Sequence, residues 1–183
     1  MYDQFKTRAE GVSAEVHRFD TKNVALDFIH RFLKEEGIAD SENAYALWAD
    51  CPFLEGIDRK ALQNETAGLK FEVSRELADK ARFGISQMQW ALADTGTLAQ
   101  DSSAIEQRLV SSLPTIHIAL VPTSGLLPDM PTLLTKTNPN DCGYLAMITG
   151  PSRTADIERV LTIGVHGPDR LIIVFVDELG GAS

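Results

Sequence analysis

Residues 115–121, Thr-Ile-His-Ile-Ala-Leu-Val, are the segment that most constrains the fold of this chain. The run is almost continuously apolar and rich in β-branched residues, and Pro122 ends it. A strand with one exposed face would alternate apolar and polar residues, so this pattern indicates a strand that is covered on both faces. Strands of that kind occur mainly in parallel sheets flanked by helices, which predicts an α/β fold.

The remaining patterns alternate between strand-like and helix-like segments. A strand is predicted over 12–19, followed by a helix that Asp20-Thr21 caps and Gly37 ends. Further strands are predicted at 44–49, 69–73, 88–92 and 144–149, helices at 75–82 and 126–136, and a hairpin from 157–164 and 171–176. The prediction is a single domain over residues 1–183, a three-layer α/β fold with a mixed sheet.

Composition and charge narrow the possible partners. The 183 residues carry a net charge of −9, which repels phosphate backbones and predicts no nucleic-acid partner. No apolar run approaches the roughly 20 residues needed to span a bilayer. The first six residues show no basic segment followed by an apolar one, so we expect no signal peptide and a cytoplasmic location.

Cysteine and histidine spacing predicts no metal centre on this chain. Cys51 and Cys142 are far apart and belong to no CxxC unit, so no cysteine set matches an iron–sulfur cluster. The four histidines are scattered and form no HExxH motif. The phosphate-binding patterns GxGxxG and GxxxxGK[ST] and the hydrolase pattern GxSxG are also absent, which disfavours a standard nucleotide enzyme.

Three turn segments contain residues of the kinds that bind ligands or transfer protons. The first is Asp94-Thr95-Gly96-Thr97, in which Gly96 permits unusual backbone angles between a carboxylate and two hydroxyl groups. Such a turn brings backbone N–H groups close to a ligand oxygen. The structural alternative is a strand bulge, in which threonine fits and glycine bends the chain.

The second segment covers residues 149–158 and follows a predicted buried strand. Ser152 and Thr154 offer hydroxyl hydrogen bonds, and Arg153 offers a two-pronged contact to a carboxylate or phosphate. Asp156 and Glu158 are placed to orient Arg153 or to act on protons. The structural alternative is a capped turn that contains an internal salt bridge.

The third segment, residues 164–168, places His166 between turn-forming residues. A histidine titrates near neutral pH and serves as an acid or a base. The structural alternative is a turn whose histidine bonds only to backbone. His117, within the apolar strand, is interpreted as a core histidine, and it would contact a ligand only if its strand faced the site.

The ordered set of these segments over residues 84–177 resembles the lactate-utilisation (LUD) domain family of the LutC/YkgG type. The resemblance rests on Ala93–Thr97, Arg108–Pro114 with His117–Ala119, Ile148–Glu158 and Gly164–Pro168. It implies a fold similar to the NagB/RpiA/CoA-transferase-like superfamily and a role in oxidising L-lactate to pyruvate. It also implies partner subunits, LutA-like and LutB-like, of which one carries the iron–sulfur clusters.

Two departures from the family pattern affect the first turn. Asp94 stands where the family commonly has Glu, so its carboxylate reaches about one methylene less. Residues 101–106, Asp-Ser-Ser-Ala-Ile-Glu, replace the glycine-rich segment expected after Thr97.

The leading hypothesis is a LutC-like subunit or accessory protein that binds a small carboxylate or a phosphate-bearing ligand. One wall of the site would be Asp94 to Thr97, and the other would be Ser152, Arg153, Thr154 and His166, with Asp156 or Glu158 holding Arg153. The catalytic candidates are Asp94, Glu158 and His166. The alternatives are a stand-alone enzyme of acyl-transfer or sugar-phosphate type, with Glu158 or Asp94 as nucleophile, and a non-catalytic assembly protein.

Overall fold

The computed structural model describes residues 1–137, 142–153 and 167–179. This part of the chain forms two sheets with helices around them. The strands are β1 (Glu15–Phe19), β2 (Ala46–Trp48), β3 (Leu69–Lys70), β4 (Phe83–Gln87), β5 (Trp90–Leu92), β6 (Thr97–Asp101), β7 (Ile116–Pro122), β8 (Leu126–Leu127), β9 (Leu145–Ile148) and β10 (Arg170–Val176). The helices are α1 (Tyr2–Gly11), α2 (Lys22–Glu35), α3 (Arg59–Glu65), α4 (Arg75–Asp79), α5 (Ile105–Ser112) and α6 (Met130–Lys136).

The larger sheet confirms the inference drawn from residues 115–121. Strand β7 is buried at every position and lies inside a six-stranded sheet of order β1-β10-β7-β4-β2-β3, whose pairs are all parallel. Helices α2 and α3 pack on one face, and α1, α4, α5 and the second sheet pack on the other. The predicted three-layer α/β fold is therefore confirmed.

The mixed pairing occurs in the smaller sheet, of order β8-β5-β6-β9. Strands β5 and β6 form an antiparallel hairpin, β9 pairs antiparallel with β6, and β8 pairs parallel with β5. Its inner face packs against the parallel sheet through Ala91 and Leu98, and its outer face packs against Leu133 of α6. The first two of the three turn segments singled out from the sequence adjoin this sheet, one between β5 and β6 and the other after β9.

Local sequence explains where the helices begin and which face they bury. The hydroxyl of Thr21 accepts a hydrogen bond from the amide of Val24 at 3.3 Å, which caps α2. Ala25, Ile29 and Leu33 recur at four-residue spacing and are buried against the parallel sheet. The helix therefore follows the pattern predicted for it.

A group of ion pairs fixes the amino edge of the parallel sheet. Arg170, at the start of β10, donates to Glu15 of β1 at 2.9 and 3.2 Å and to Glu36, at the end of α2, at 2.7 Å. Arg82, just before β4, donates to Glu36 at 3.4 Å. The hydrogen bond from Arg170 is the main reason that the pKa of Glu36 is lowered. These pairs hold together the segments that precede three strands.

The amino-terminal segment differs from the prediction. Residues 2–11 form helix α1, for which no helix was predicted, and β1 begins at Glu15 rather than at residue 12. Ser13 turns the chain between them with φ of +72°. Because an L-residue rarely adopts that angle, Ser13 marks a sharp local turn and not the first part of a strand.

The predicted carboxy-terminal hairpin is wrong. Strand β10 pairs in parallel with β1 on one side and with β7 on the other, so both of its edges are occupied. The other predicted hairpin strand, 157–164, lies outside the described residues.

Three other predictions need correction. The segment 126–136 is a short strand followed by α6, because Asp129 caps the helix by accepting a hydrogen bond from the amide of Thr132 at 2.9 Å. Strand β9 is only partly buried, with Met147 43% exposed, rather than fully buried. The alternation of Met88, Trp90 and Leu92 with other residues predicts a strand with one buried face, but β5 is buried on both faces, because the parallel sheet covers one face and α6 the other.

Candidate functional site at the amino edge of the sheet

The first predicted segment forms the turn of the β5–β6 hairpin. Gly96 has φ of +70°, and its amide donates to the carbonyl of Leu92 at 2.9 Å. Asp94 and Thr95 are exposed, whereas Thr97 begins β6 and is nearly buried. The turn therefore presents one carboxylate and one hydroxyl group to solvent, with a second hydroxyl group beneath them.

The second predicted segment lies directly beside the first. Strands β6 and β9 are antiparallel neighbours with Leu98 opposite Ile148, so Thr97 and Thr149 extend the same pairing. Their hydroxyl oxygens are 2.8 Å apart. One hydroxyl group donates to the other, and the accepting group keeps its own proton for a further acceptor. The structure thus brings together two segments that the sequence separates.

The carboxyl end of α1 packs against both turns. A Cβ atom added to Gly96 would lie 2.5 Å from the backbone nitrogen of Ala9. A Cβ atom added to Gly150, which also has positive φ, would lie 2.5 Å from the carbonyl oxygen of Val12. Contacts this short exclude any side chain without a shift of backbone. In this structure both glycines therefore allow a close approach of α1 and the residues after it.

Arg153 and Ser152 continue the second turn. The Arg153 side chain is exposed, and its Nη2 donates to the hydroxyl of Ser13 at 3.4 Å. The Ser152 amide donates to the carbonyl of Pro168 at 2.8 Å, which joins the second segment to the end of the third. The remaining predicted site residues lie outside the described residues and stay predictions: Thr154, Asp156, Glu158 and His166.

These turns gather at the amino edge of the parallel sheet. Val12 and Ser13 precede β1, and Pro168 precedes β10, whereas residues 149–153 follow β9 of the smaller sheet. Ligands of open α/β sheets usually lie at the carboxyl ends of the strands. In this chain, residues 149–153 do lie at the carboxyl end of a strand, β9, but that strand belongs to the smaller sheet. The neighbouring turns precede strands of the parallel sheet and so lie at its amino edge.

The carboxyl edge of the parallel sheet has a separate cleft of about 410 Å³. Its polar groups bond largely to one another. The Lys22 amide donates to Glu178 at 2.8 Å, its ammonium group donates to the carbonyl of Glu55 at 2.5 Å, and Gln87 accepts from the amide of Phe53 at 2.8 Å. These contacts hold the loops that follow the strands in place. The polar groups of this cleft therefore have a structural role.

A cleft of about 380 Å³ lies between α1 and the first turn. Its lining consists of Thr7, Arg8, Gly11, Val12, Asp94 and Thr95. Phe5 and Ala9 of α1 are buried, while Thr7 and Arg8 are exposed. Sequence analysis did not identify Thr7 or Arg8, because they belong to no motif and α1 itself was not predicted.

His117 lies in the core and not in either cleft. It is fully buried, and its Nε2 is 2.8 Å from the hydroxyl of Ser86 on β4. Its Nδ1 has no hydrogen-bond partner among the residues that the structure describes. Burial lowers the pKa of His117 to about 3, so the ring is neutral at neutral pH. This placement agrees with its interpretation as a core histidine.

The two cysteines lie in different environments. Cys51 is buried, and burial raises the pKa of its thiol to about 11, which keeps it protonated and unreactive at neutral pH. Cys142 lies beside Asp101 at the other end of β6 from the turn. Within the described ranges, no three His, Cys, Asp or Glu side chains are grouped to hold a metal ion.

Comparison with known proteins gives a consistent family assignment. The LUD domain model matches residues 2–176. The Lactate utilization protein C of an Exiguobacterium species is 38% identical over 117 residues, which cover 59% of this chain and 50% of that protein. The Lactate utilization protein C of Macrococcus caseolyticus is 33% identical over 142 residues, covering 72% of this chain and 60% of that protein. That of Bacillus subtilis is 36% identical over 115 residues, covering 60% and 48%.

The chain spans about half the length of the curated relatives that it matches. A crystal structure of a DUF162 family protein from Deinococcus radiodurans has the same fold, with a TM-score of 0.64 over 96% of this chain and 95% of that chain. The two sequences are 19% identical, so this likeness concerns the fold alone. No helix in the described ranges is long and apolar enough to cross a membrane.

Proposed function

Because the chain belongs to the LUD domain family, we propose that it serves in the oxidation of L-lactate to pyruvate as a LutC-like subunit or accessory protein. The name shared by its relatives, Lactate utilization protein C, supports the pathway. The cytoplasm is the expected location. The ligand would be a small anion, either a carboxylate or a phosphate-bearing molecule.

The contact between Thr97 and Thr149 is the observation that carries this proposal. It joins the two turns at 2.8 Å and leaves one hydroxyl proton for a ligand oxygen. Arg153 follows four residues after Thr149 and is exposed at the same edge, so a carboxylate at the two hydroxyl groups would meet a guanidinium group nearby. In this proposal Arg153 is the anion contact, and Ser13 orients its side chain.

The proposal assigns electron transfer to partner proteins. Oxidation of L-lactate to pyruvate releases two electrons and two protons. The family resemblance assigns the electrons to the iron–sulfur clusters carried among the LutA-like and LutB-like partner subunits. On this chain, Arg153 and the two threonines would bind and orient the carboxylate, while Asp94, Glu158 and His166 are the candidates for handling a proton.

Growth on L-lactate tests the proposal in a bacterial host that lacks its own LUD protein but keeps the partner subunits. The wild-type chain should restore growth, and Arg153→Ala should reduce the L-lactate oxidation rate by about tenfold or more, the effect of losing one charge-assisted contact. Arg31→Ala, an exposed arginine on α2 at the opposite face of the sheet, is the matched control.

Three results would contradict the proposal in different ways. Full activity of Arg153→Ala would remove Arg153 as the anion contact. Turnover of CoA esters or sugar phosphates by the purified chain alone would favour a stand-alone enzyme. Co-purification with iron–sulfur subunits, with wild-type activity of both Arg153→Ala and Thr97→Val, would favour an assembly protein.

A further inference from the structure

We infer that Arg8 of α1 and Asp94 of the β5–β6 turn together recognise a 2-hydroxy acid in the cleft between them. The inference rests on the proposed function for the class of ligand, and it adds two roles. Arg8 supplies a second guanidinium group for the carboxylate, in addition to that of Arg153, and Asp94 accepts a hydrogen bond from the neighbouring hydroxyl group. The cleft would therefore distinguish L-lactate from pyruvate.

Helix α1 is placed by close contacts with the two turns. Gly96 and Gly150 approach the backbone of Ala9 and Val12 so closely that a single methyl group would collide with it. The carboxyl end of α1 is thereby fixed over both turns. Helix α1 thus forms the wall of the cleft opposite Asp94 and Thr95, the first of the two walls predicted from the sequence.

Polar and charged side chains line the cleft between α1 and the first turn. Arg8 and Thr7 lie on the exposed face of α1, and Asp94 and Thr95 lie opposite them, around a space of about 380 Å³. Among the described residues, no carboxylate lies within 4 Å of the Arg8 guanidinium group to form an ion pair. The cleft therefore contains one cation and one carboxylate that face the same space without neutralising each other directly.

The chemistry of a 2-hydroxy acid matches this pair. Its carboxylate suits a guanidinium group, which presents two parallel N–H donors. Its hydroxyl group, on the adjacent carbon, carries a proton that a carboxylate accepts. A 2-oxo acid has no such proton, and its carbonyl oxygen would face the negative charge of Asp94. The cleft should therefore bind L-lactate more tightly than pyruvate.

Calorimetric titration of the full chain with L-lactate and with pyruvate tests the inference. The wild type should prefer L-lactate by about tenfold, the value of one hydrogen bond to a charged group. Asp94→Asn should lower this preference to within about twofold, because it removes the negative charge that disfavours the oxo group. Arg8→Gln should lower the affinity for both ligands by about tenfold. The controls on α2, Asp27→Asn and Arg31→Gln, should leave both affinities unchanged.

The outcomes separate this inference from the proposed function. If Arg153→Gln abolishes binding while Arg8→Gln and Asp94→Asn change nothing, the proposed anion site stands and the inference is wrong. An unchanged L-lactate preference in Asp94→Asn also overturns the inference. If the wild type binds neither acid, the inference is wrong, whereas the proposed function is still decided by growth of the complemented host on L-lactate. A drop in α1 protection from hydrogen exchange in Arg8→Gln would show that the loss of binding is structural and would count against a direct contact.

Discussion

The hydroxyl oxygens of Thr97 and Thr149 lie 2.8 Å apart, although 52 positions separate the two residues in the sequence. Thr97 begins β6 and Thr149 follows β9, and antiparallel pairing of these strands brings the two turns together. This contact places the turn at residues 94–97 and the turn at residues 149–153 side by side on one surface. Arg153, at the end of the second turn, then lies beside the segment that connects α1 to β1.

A double-mutant cycle on Thr97→Val and Thr149→Val measures this contact. We expect a coupling free energy of about 1 kcal/mol in the free energy of unfolding, because each single change leaves the other hydroxyl group without its partner. Urea unfolding of the two single variants and the double variant gives the value. Thr135→Val, an exposed threonine that bonds within α6, is the control for loss of a hydroxyl group. Additivity of the two single changes would show that the contact contributes nothing.

Substitution of the turn glycines tests whether they hold α1 in place. Gly56, Gly96 and Gly150 all have positive φ, so alanine should destabilise each by roughly 1 kcal/mol through backbone strain alone. Only Gly96 and Gly150 also approach backbone closely, whereas space is open at Gly56. Gly96→Ala and Gly150→Ala should therefore lower the free energy of unfolding by about 1–3 kcal/mol more than Gly56→Ala does.

Hydrogen exchange identifies the cause of that loss. In the two turn variants, residues 5–11 should exchange faster than in the wild type, while α2 should be unaffected. Equal destabilisation of all three variants, with α1 protection unchanged, would mean that the glycines serve only their turns.

Burial of His117 should make the folded chain lose stability in acid. Its pKa is about 3 in the folded chain and about 6.5 when unfolded, so between these values the unfolded chain binds one proton more. The stability contribution of the neutral ring is therefore complete above pH 6.5. It falls by up to about 1.4 kcal/mol for each pH unit below that value, until the folded ring titrates near pH 3.

Comparison with His117→Gln isolates this effect from the carboxylates. Between pH 6 and 4, the free energy of unfolding should depend less steeply on pH in the variant than in the wild type. The difference in slope should correspond to about one bound proton, roughly 1.4 kcal/mol per pH unit. Imidazole ¹⁵N shifts in the wild type give a second measurement, since His117 should stay neutral at pH 4. Equal pH slopes, or a ring that protonates near pH 6, would contradict the burial argument.

The sequence predicted the fold class because one strand carries most of the information. Residues 115–121 are almost continuously apolar and rich in β-branched residues, a pattern typical of a covered parallel strand. The sequence did not reveal that the chain forms two sheets. Trp90 and Leu92 are buried in β5 by α6, and short strands of three residues carry too little periodicity to show which sheet they join.

The candidate site was predicted only in part, for a physical reason. Thr95, Gly96, Thr97, Ser152 and Arg153 were identified because glycine, threonine and arginine turns are recognisable locally. Thr7 and Arg8 were not, because their place depends on where α1 packs. That packing is set by two distant glycines and by Phe5 and Ala9, which sequence spacing alone did not connect to the turns.

Backbone amide shifts of the ¹⁵N-labelled chain, recorded during titration with L-lactate, show whether the ligand binds at the joined turns. We expect saturable shifts that are concentrated at residues 94–97 and 149–153 and at the end of α1, and that disappear in Arg153→Ala. Shifts centred instead on the carboxyl edge, at Lys22, Gln87 and Glu178, would place the ligand in the other cleft. Such shifts, or none at millimolar L-lactate, would contradict the binding of L-lactate at the joined turns.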